Sequence, residues 1–205
     1  MARKVDQEKL SSIKAATMKV IVDHGVEGAT VAMIANEAKV SGGYLYRIYE
    51  SKQDLIKELF YEKVKTINSE ITELLETNKA SVVPVIRQFI TGRINYAQKN
   101  PLGSKFYYLL IHNDNFLLPD ELREELVEVM EEFKATGVAA GEINPSASLL
   151  EFYFHMIVYV LDYIHFKTLS FLGSHELSER DIDYLTSSIL QILKQTAKPT
   201  LDHEI

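Results

Sequence analysis

Between Thr30 and Lys52 the chain gathers side chains that could hold a polyanion. They are the hydroxyls of Thr30 and Ser41, the phenols of Tyr44 and Tyr46, the Arg47 guanidinium and the Lys52 ammonium, with Gly42 and Gly43 among them. A guanidinium fits the N7 and O6 acceptors of guanine in a major groove, so Arg47 could read a base. A phosphate contact, or plain solvation, suits it equally well. Lys52 adds charge where a helix begins, beside backbone N–H groups already suited to phosphate, and is otherwise a solvated lysine. Gly42 and Gly43 offer no side-chain readout but let a backbone come close to phosphate. Thr30 can cap a helix and touch a phosphate at once.

Two short helices and a tight turn must position these groups. Val31, Ile34, Ala35 and Ala38 recur at helical spacing as one narrow apolar stripe, with Thr30 where an N-cap belongs. Val40-Ser41 interrupts the pattern, and Ser41 can cap a second helix over Gly42–Tyr49. Leu45 and Ile48 face inward there, while Tyr44, Tyr46 and Arg47 project elsewhere. Small alanines on the first helix permit close approach. This is helix-turn-helix geometry, whose second helix can enter a DNA major groove.

From Ile13 to Phe60 the chain resembles the DNA-binding domain of the TetR family of bacterial transcriptional regulators. The matching residues are Gly25, Ala29-Thr30-Val31, Ile34-Ala35, Ala38, Val40-Ser41, Gly43, Leu45-Tyr46, Tyr49, Ser51-Lys52 and Asp54-Leu55. The resemblance implies that Tyr46 contacts phosphate through its hydroxyl, with packing inside the module as its alternative. It also places Tyr44 where the family often has a small polar base-contacting residue. A bulky tyrosine there suggests thymine-methyl or sugar contacts.

The composition is compatible with this. The net charge is −7, yet residues 1–60 hold nine basic and eight acidic residues, which leaves −8 for the remainder. Positive charge is therefore relatively concentrated at the proposed DNA-binding end. There is no cysteine, hence no disulfide framework, thiol nucleophile or cysteine-based zinc site. The opening MARKVDQEKL has no apolar run resembling a signal peptide, and a cytoplasmic location is expected.

The periodicity predicts an all-α protein of about nine helices. The first runs from Asp6 to His24 and is stopped by Gly25. Ser51 and Asp54 open a fourth, to Thr77, in a capping pattern. Others follow over Ser81–Gln98, with Pro84 in the first turn, over Leu102–His112 and from Pro119 to Thr136. Ser146–Leu172 and Ser178–Lys198 complete the set. The domains expected are 1–50 for DNA binding, 51–198 for ligand binding and dimerisation, and a disordered tail over 199–205.

Leu149–Leu172 is apolar on nearly every side, as in a helix buried on two faces or lying in lipid. Glu151, His155, Asp162, His165 and Lys167 argue against a membrane span. One face on its own domain and one on a second subunit explains the pattern. The resemblance implies the same, since these regulators are usually dimers joined through their last two helices. Leu149, Ile157, Leu161, Ile164, Ile182, Leu185, Ile189 and Ile192 are the expected interface residues.

An aromatic collection suggests an effector cavity, because ligand sites are mostly apolar with a few placed polar groups. Phe89, Tyr96, Phe106, Tyr107, His112, Tyr153, His155 and Tyr159 are the candidates. Residue by residue, filling a helical core explains these aromatics as well. The resemblance implies the cavity, since family members commonly bind small molecules there. His155, Tyr159 and Asp162 share one helix face, but such spacing is weak evidence for a metal, and no metal or cofactor is expected. No nucleophile elbow or phosphate-binding loop supports an enzyme.

The reading that results is a homodimeric repressor on a near-palindromic DNA operator, released by a small, largely apolar effector. The alternatives are a docking scaffold without an effector and a helical enzyme.

Overall fold

A computed structural model describes residues 7–113, 117–169 and 175–195. Nine helices and no strand occur among them: α1 (Gln7–Gly28), α2 (Val31–Glu37), α3 (Gly42–Tyr46), α4 (Lys52–Thr77), α5 (Val83–Lys99), α6 (Pro101–Ile111), α7 (Asp120–Ala139), α8 (149–169) and α9 (Glu179–Gln195). The all-α expectation holds. The expected starts and ends at Asp6, Leu172 and Lys198, and the tail over 199–205, lie outside the described residues.

Gly25 ends the first run of regular helix, as expected: it leaves helical geometry at φ 74°, ψ 166°, and beyond this kink a further short turn runs to Gly28. A Cβ on Gly25 would meet nothing within 4 Å, so the requirement for glycine is conformational. The second helix of the helix-turn-helix is shorter than the expected Gly42–Tyr49. Regular α3 stops at Tyr46, and the chain turns through Ile48 N–H and Tyr49 N–H, both donating to the Leu45 carbonyl.

Packing divides the chain into two compact units, Met1–Ile67 with Asn95–Leu122, and Asn68–Ile94 with Arg123–Ile205. The sequence suggests a boundary at residue 50 instead. The difference comes from α6 and the start of α4. Phe106 and Leu110 of α6 lie in one core with Ile13, Val20 and Ile21 of α1, Ile34 of α2, Leu45 of α3 and Leu55, Ile56 and Leu59 of α4. The helices of the helix-turn-helix are too short to bury themselves, so this unit recruits a helix distant in sequence.

In the second unit Phe133 of α7 meets Phe152 of α8 edge to face, with centroids 5.3 Å apart. Ser148 caps α8 through a reciprocal box with Glu151. α8 is not regular throughout: Phe154–Val158 is π-helical. Its buried stripe is Phe152, Met156, Val160 and Ile164, each four residues from the last. In a straight α-helix of 3.6 residues per turn, each such step drifts by roughly 40°. The wider π turn offsets that drift and keeps the stripe on one face.

Asp181, at the start of α9, is buried and fully partnered. It accepts from the Tyr163 hydroxyl at 2.6 Å, from the Ser178 N–H at 2.7 Å and hydroxyl at 2.8 Å, and from the Lys167 ammonium. Burial alone would raise its carboxyl pKa, but Lys167, Tyr163 and Ser178 hold it well below the usual carboxylate range. A depressed native pKa means stability that is complete above the unfolded value, ~3.9, and lost as pH falls below it. Asp181→Asn should therefore destabilise by ~1–3 kcal/mol at neutral pH. In urea titrations at successively lower pH, the gap between the two proteins should close below that value.

Candidate nucleic-acid interface

The turn chemistry read from sequence is realised atom by atom. Thr30 Oγ1 accepts from Met33 N–H at 3.2 Å, and Ser41 Oγ accepts from Tyr44 N–H at 3.2 Å. Each hydroxyl satisfies one of the donors that a helix start leaves open. Leu45 is the buried anchor of α3, and Ile48 packs on the same core. Tyr46 turns outward with 59 % of its surface exposed, and Arg47 is exposed beside it.

Tyr44 is half-buried against the core rather than projecting freely. The Arg47 guanidinium carbon lies 4.7 Å from its ring centroid and the Lys9 ammonium 5.5 Å from it. The aromatic face thus assembles two cations from α1 and the end of α3. Lys9 was missed in the sequence reading, since nothing local links residue 9 to residue 44. A Cβ on Gly42 or Gly43 would meet nothing within 4 Å. The protein's own packing gives no reason for glycine at either place.

Lys52 differs from expectation. Its ammonium donates to the carbonyls of Val26 at 2.7 Å and Ala29 at 2.8 Å. Two of its three N–H groups thus close the end of α1 beyond the Gly25 kink, where carbonyls lack helical partners. Tyr49, after α3, donates to Glu58 Oε1 of α4 at 3.1 Å. Burial, then the Glu58 carboxylate, pushes the Tyr49 phenol up, which keeps it a donor.

The eight effector candidates divide between the two units. Tyr96, Phe106, Tyr107 and His112 belong to the first unit; Phe89, Tyr153, His155 and Tyr159 belong to the second. Phe106 is fully buried in the core shared with α1, so its ring is already committed. His112 is exposed, with Nδ1 against its own helix's Tyr108 carbonyl at 2.8 Å. The Lys63 ammonium sits 3.9 Å from the Tyr96 ring centroid and 5.3 Å from that of Tyr107. In the second unit the His155 ring makes edge contacts with Phe154 and Tyr159. Its pKa is lowered by burial, against the pull of Glu151.

The expected dimer face needs correction. Ile164, Ile182, Leu185 and Ile189 are buried inside their own unit, where they form its core. Leu149, Ile157 and Leu161 are half-buried, and Ile192 is exposed. The large apolar side chains left exposed on these helices are Leu150, Phe154 and Phe166 of α8 and Tyr184 and Ile192 of α9. By length and composition Leu149–Thr168 could cross a membrane, at a mean hydropathy of 1.2. No group of three His, Cys, Asp or Glu placed to hold a metal occurs among the described residues.

Residues 13–59 match the model of the tetR family of bacterial regulatory proteins. The chain is 24% identical over 150 residues to the fatty acid metabolism regulator protein of Bacillus subtilis (strain 168), covering 69% of this chain and 74% of that one. A TetR family transcription regulator from Marinobacter aquaeolei VT8 shares the fold at a TM-score of 0.73 and 17% identity, over 91% of this chain and 95% of that one. The transcriptional regulator FadR from Bacillus subtilis, solved with stearoyl-CoA, does so at 0.65 and 18% identity, over 92% and 99%.

The Lys52 geometry makes a prediction that needs no DNA. Lys52→Met should lower the stability of the free protein by ~1–3 kcal/mol, because two partly buried carbonyls lose a charged donor. Urea unfolding of the unliganded protein measures this; a lysine serving only phosphate would leave the midpoint unchanged.

Proposed function

We propose that this chain, which belongs to the TetR family of bacterial transcriptional regulators, is a cytoplasmic homodimeric repressor that a small, largely apolar effector releases from DNA. The operator is near-palindromic, with half-sites about one helical turn apart, ~34–36 Å, or a multiple of it. Thr30, Ser41, Gly42, Gly43, Tyr44, Tyr46, Arg47 and Lys52 form the DNA face. The observation that carries this reading is the pairing of two capped short helices with a surface on which Gly42 and Gly43 stand open to approach.

Arg47 reads a base edge, braced against Tyr44, while Tyr46 and the Gly42–Gly43 backbone meet phosphates. Lys52 acts mainly by fixing α1, with one N–H left for phosphate. The exposed apolar residues of α8 and α9, with Ile157 and Leu161, form the dimer face. The effector is taken up by the second unit. The relatives that regulate fatty acid metabolism or bind stearoyl-CoA favour an acyl compound. α4 begins at Lys52 in the first unit and ends at Thr77 in the second. A ligand that shifts its far end moves Lys52, and with it the end of α1. Control requires only different effector affinities in the two dimer states, and a coupling of ~1–3 kcal/mol is typical.

The test begins with selection of bound sites from random duplex DNA, then affinity measurements on the selected operator. Gly43→Ala should leave the free protein as stable or more so, since alanine is the better helix former by up to ~1 kcal/mol. It should nevertheless weaken operator binding, and unchanged affinity would remove the close-approach role. Arg47→Ala should alter preference at one base pair by ~1–3 kcal/mol; equal losses on every operator variant would refute its role as a reader.

A further inference from the structure

We infer that Lys9 of α1 is a further DNA contact, meeting a backbone phosphate, and that Tyr44 is a positioning residue whose ring orders Lys9 and Arg47 together. This rests on the DNA reading above and adds α1 to its surface.

The side of α1 that carries Lys9 is turned toward the helix-turn-helix. Lys9, Ser12 and Ile13 stand at i, i+3 and i+4, so they share one helix face. Ile13 is fully buried in the core with Ile34 and Leu45, and Ser12 Oγ donates to the Ala38 carbonyl after α2 at 3.3 Å. One turn nearer the helix start, Lys9 is exposed. Its ammonium lies 5.5 Å from the Tyr44 ring centroid, and the Arg47 guanidinium carbon lies 4.7 Å from the same centroid. A helix distant in sequence thus brings a second cation to the ring that already braces the first.

Charge selects the partner. Other cations of this unit face carboxylates: Lys14 meets Glu58 at 2.9 Å, and Lys19 meets Asp23 at 2.9 Å. Arg47 forms no ion pair among the described residues. Two like charges gathered at one ring repel, and salt screens that repulsion only in part at such range. The ring face offsets some of it. A polyanion laid across both cations offsets the rest. Duplex DNA carries one negative charge per ~1.7 Å of its axis, so cations on neighbouring helices can each meet a phosphate. The Tyr44 ring is half-buried against the core and offers them a fixed face. Without it, each cation would swing on a long stem whose ordering costs entropy on binding.

The test uses the full chain and the operator selected from random duplex DNA, with affinities measured over a range of salt concentrations. Lys9→Gln should weaken binding about tenfold on every operator variant alike, and should flatten the log–log salt slope by about 1 for each half-site. Its urea midpoint should stay in place, since Lys9 is exposed. With Tyr44→Leu already present, Lys9→Gln should cost about threefold or less, because the two effects are coupled through the ring. With Tyr44→Phe, which keeps the ring and drops the hydroxyl, the full Lys9 effect should return. Tyr44→Met takes the place of the leucine variant should that protein not fold. A tyrosine that only packed the core, or met DNA through its hydroxyl, would not give this order. If Lys9→Gln leaves affinity and salt slope unchanged, or costs the same with and without the ring, the inference is overturned while the DNA reading stands. If the wild-type protein selects no duplex, both fall.

Discussion

The first unit depends on satisfying backbone groups at the ends of helices too short to be stable alone. α2 and α3 are a few residues each, and isolated helices below about a dozen residues are marginal in water. Most of their N–H groups are end groups with no helical partner. Thr30 and Ser41 hydroxyls supply partners at the two starts, and the Lys52 ammonium supplies one for the carbonyls after the Gly25 kink. Each such contact contributes on the order of 1 kcal/mol, a sizeable fraction of a domain's net stability. The shared core around Ile13, Ile34, Leu45 and Phe106 then holds the capped pieces in one arrangement.

That arrangement was legible in the sequence because capping is local chemistry. A hydroxyl three residues before the amide it satisfies is visible without knowing the fold. The inward Leu45 and outward Tyr46 followed from helical spacing in the same way. What was not legible depends on contacts distant in the chain. The carbonyl partners of Lys52 lie at and just beyond the end of α1, more than twenty residues earlier, and Lys9 is separated from Tyr44 by most of α1 and the whole of α2. Phe106 reads as a cavity aromatic until α6 is seen to close the first unit's core.

The α8 and α9 faces show a second limit. An apolar-all-round helix has no sequence signal for which face is inside, so the inward place of Ile164 on α8 is not legible; α9 has one clear apolar stripe, but the sequence does not say whether its own unit or a second subunit covers Ile182, Leu185 and Ile189, which form the core. The π-helical segment compounds the difficulty, because it changes the angular step midway along α8. Residues before and after it cannot be placed on one wheel. The four-residue spacing of Phe152, Met156, Val160 and Ile164 was the available clue, since it drifts on an α-helix but holds with a π turn inserted.

The second unit holds both fully partnered buried polar groups, such as Asp181, and unpartnered ones. In the first unit, end groups find partners within the chain, as suits a module that must hold its shape against DNA. In the second, Asn68 and Arg93 keep buried donors and acceptors without them. Each unpartnered group raises the free energy of the ligand-free interior by ~1–3 kcal/mol, the same order as a typical coupling between two sites. On the proposed function, a ligand that satisfied such groups in one state more completely than in another would have the differential affinity needed to shift the population. A fully satisfied interior would be more stable and would offer a small molecule no such lever.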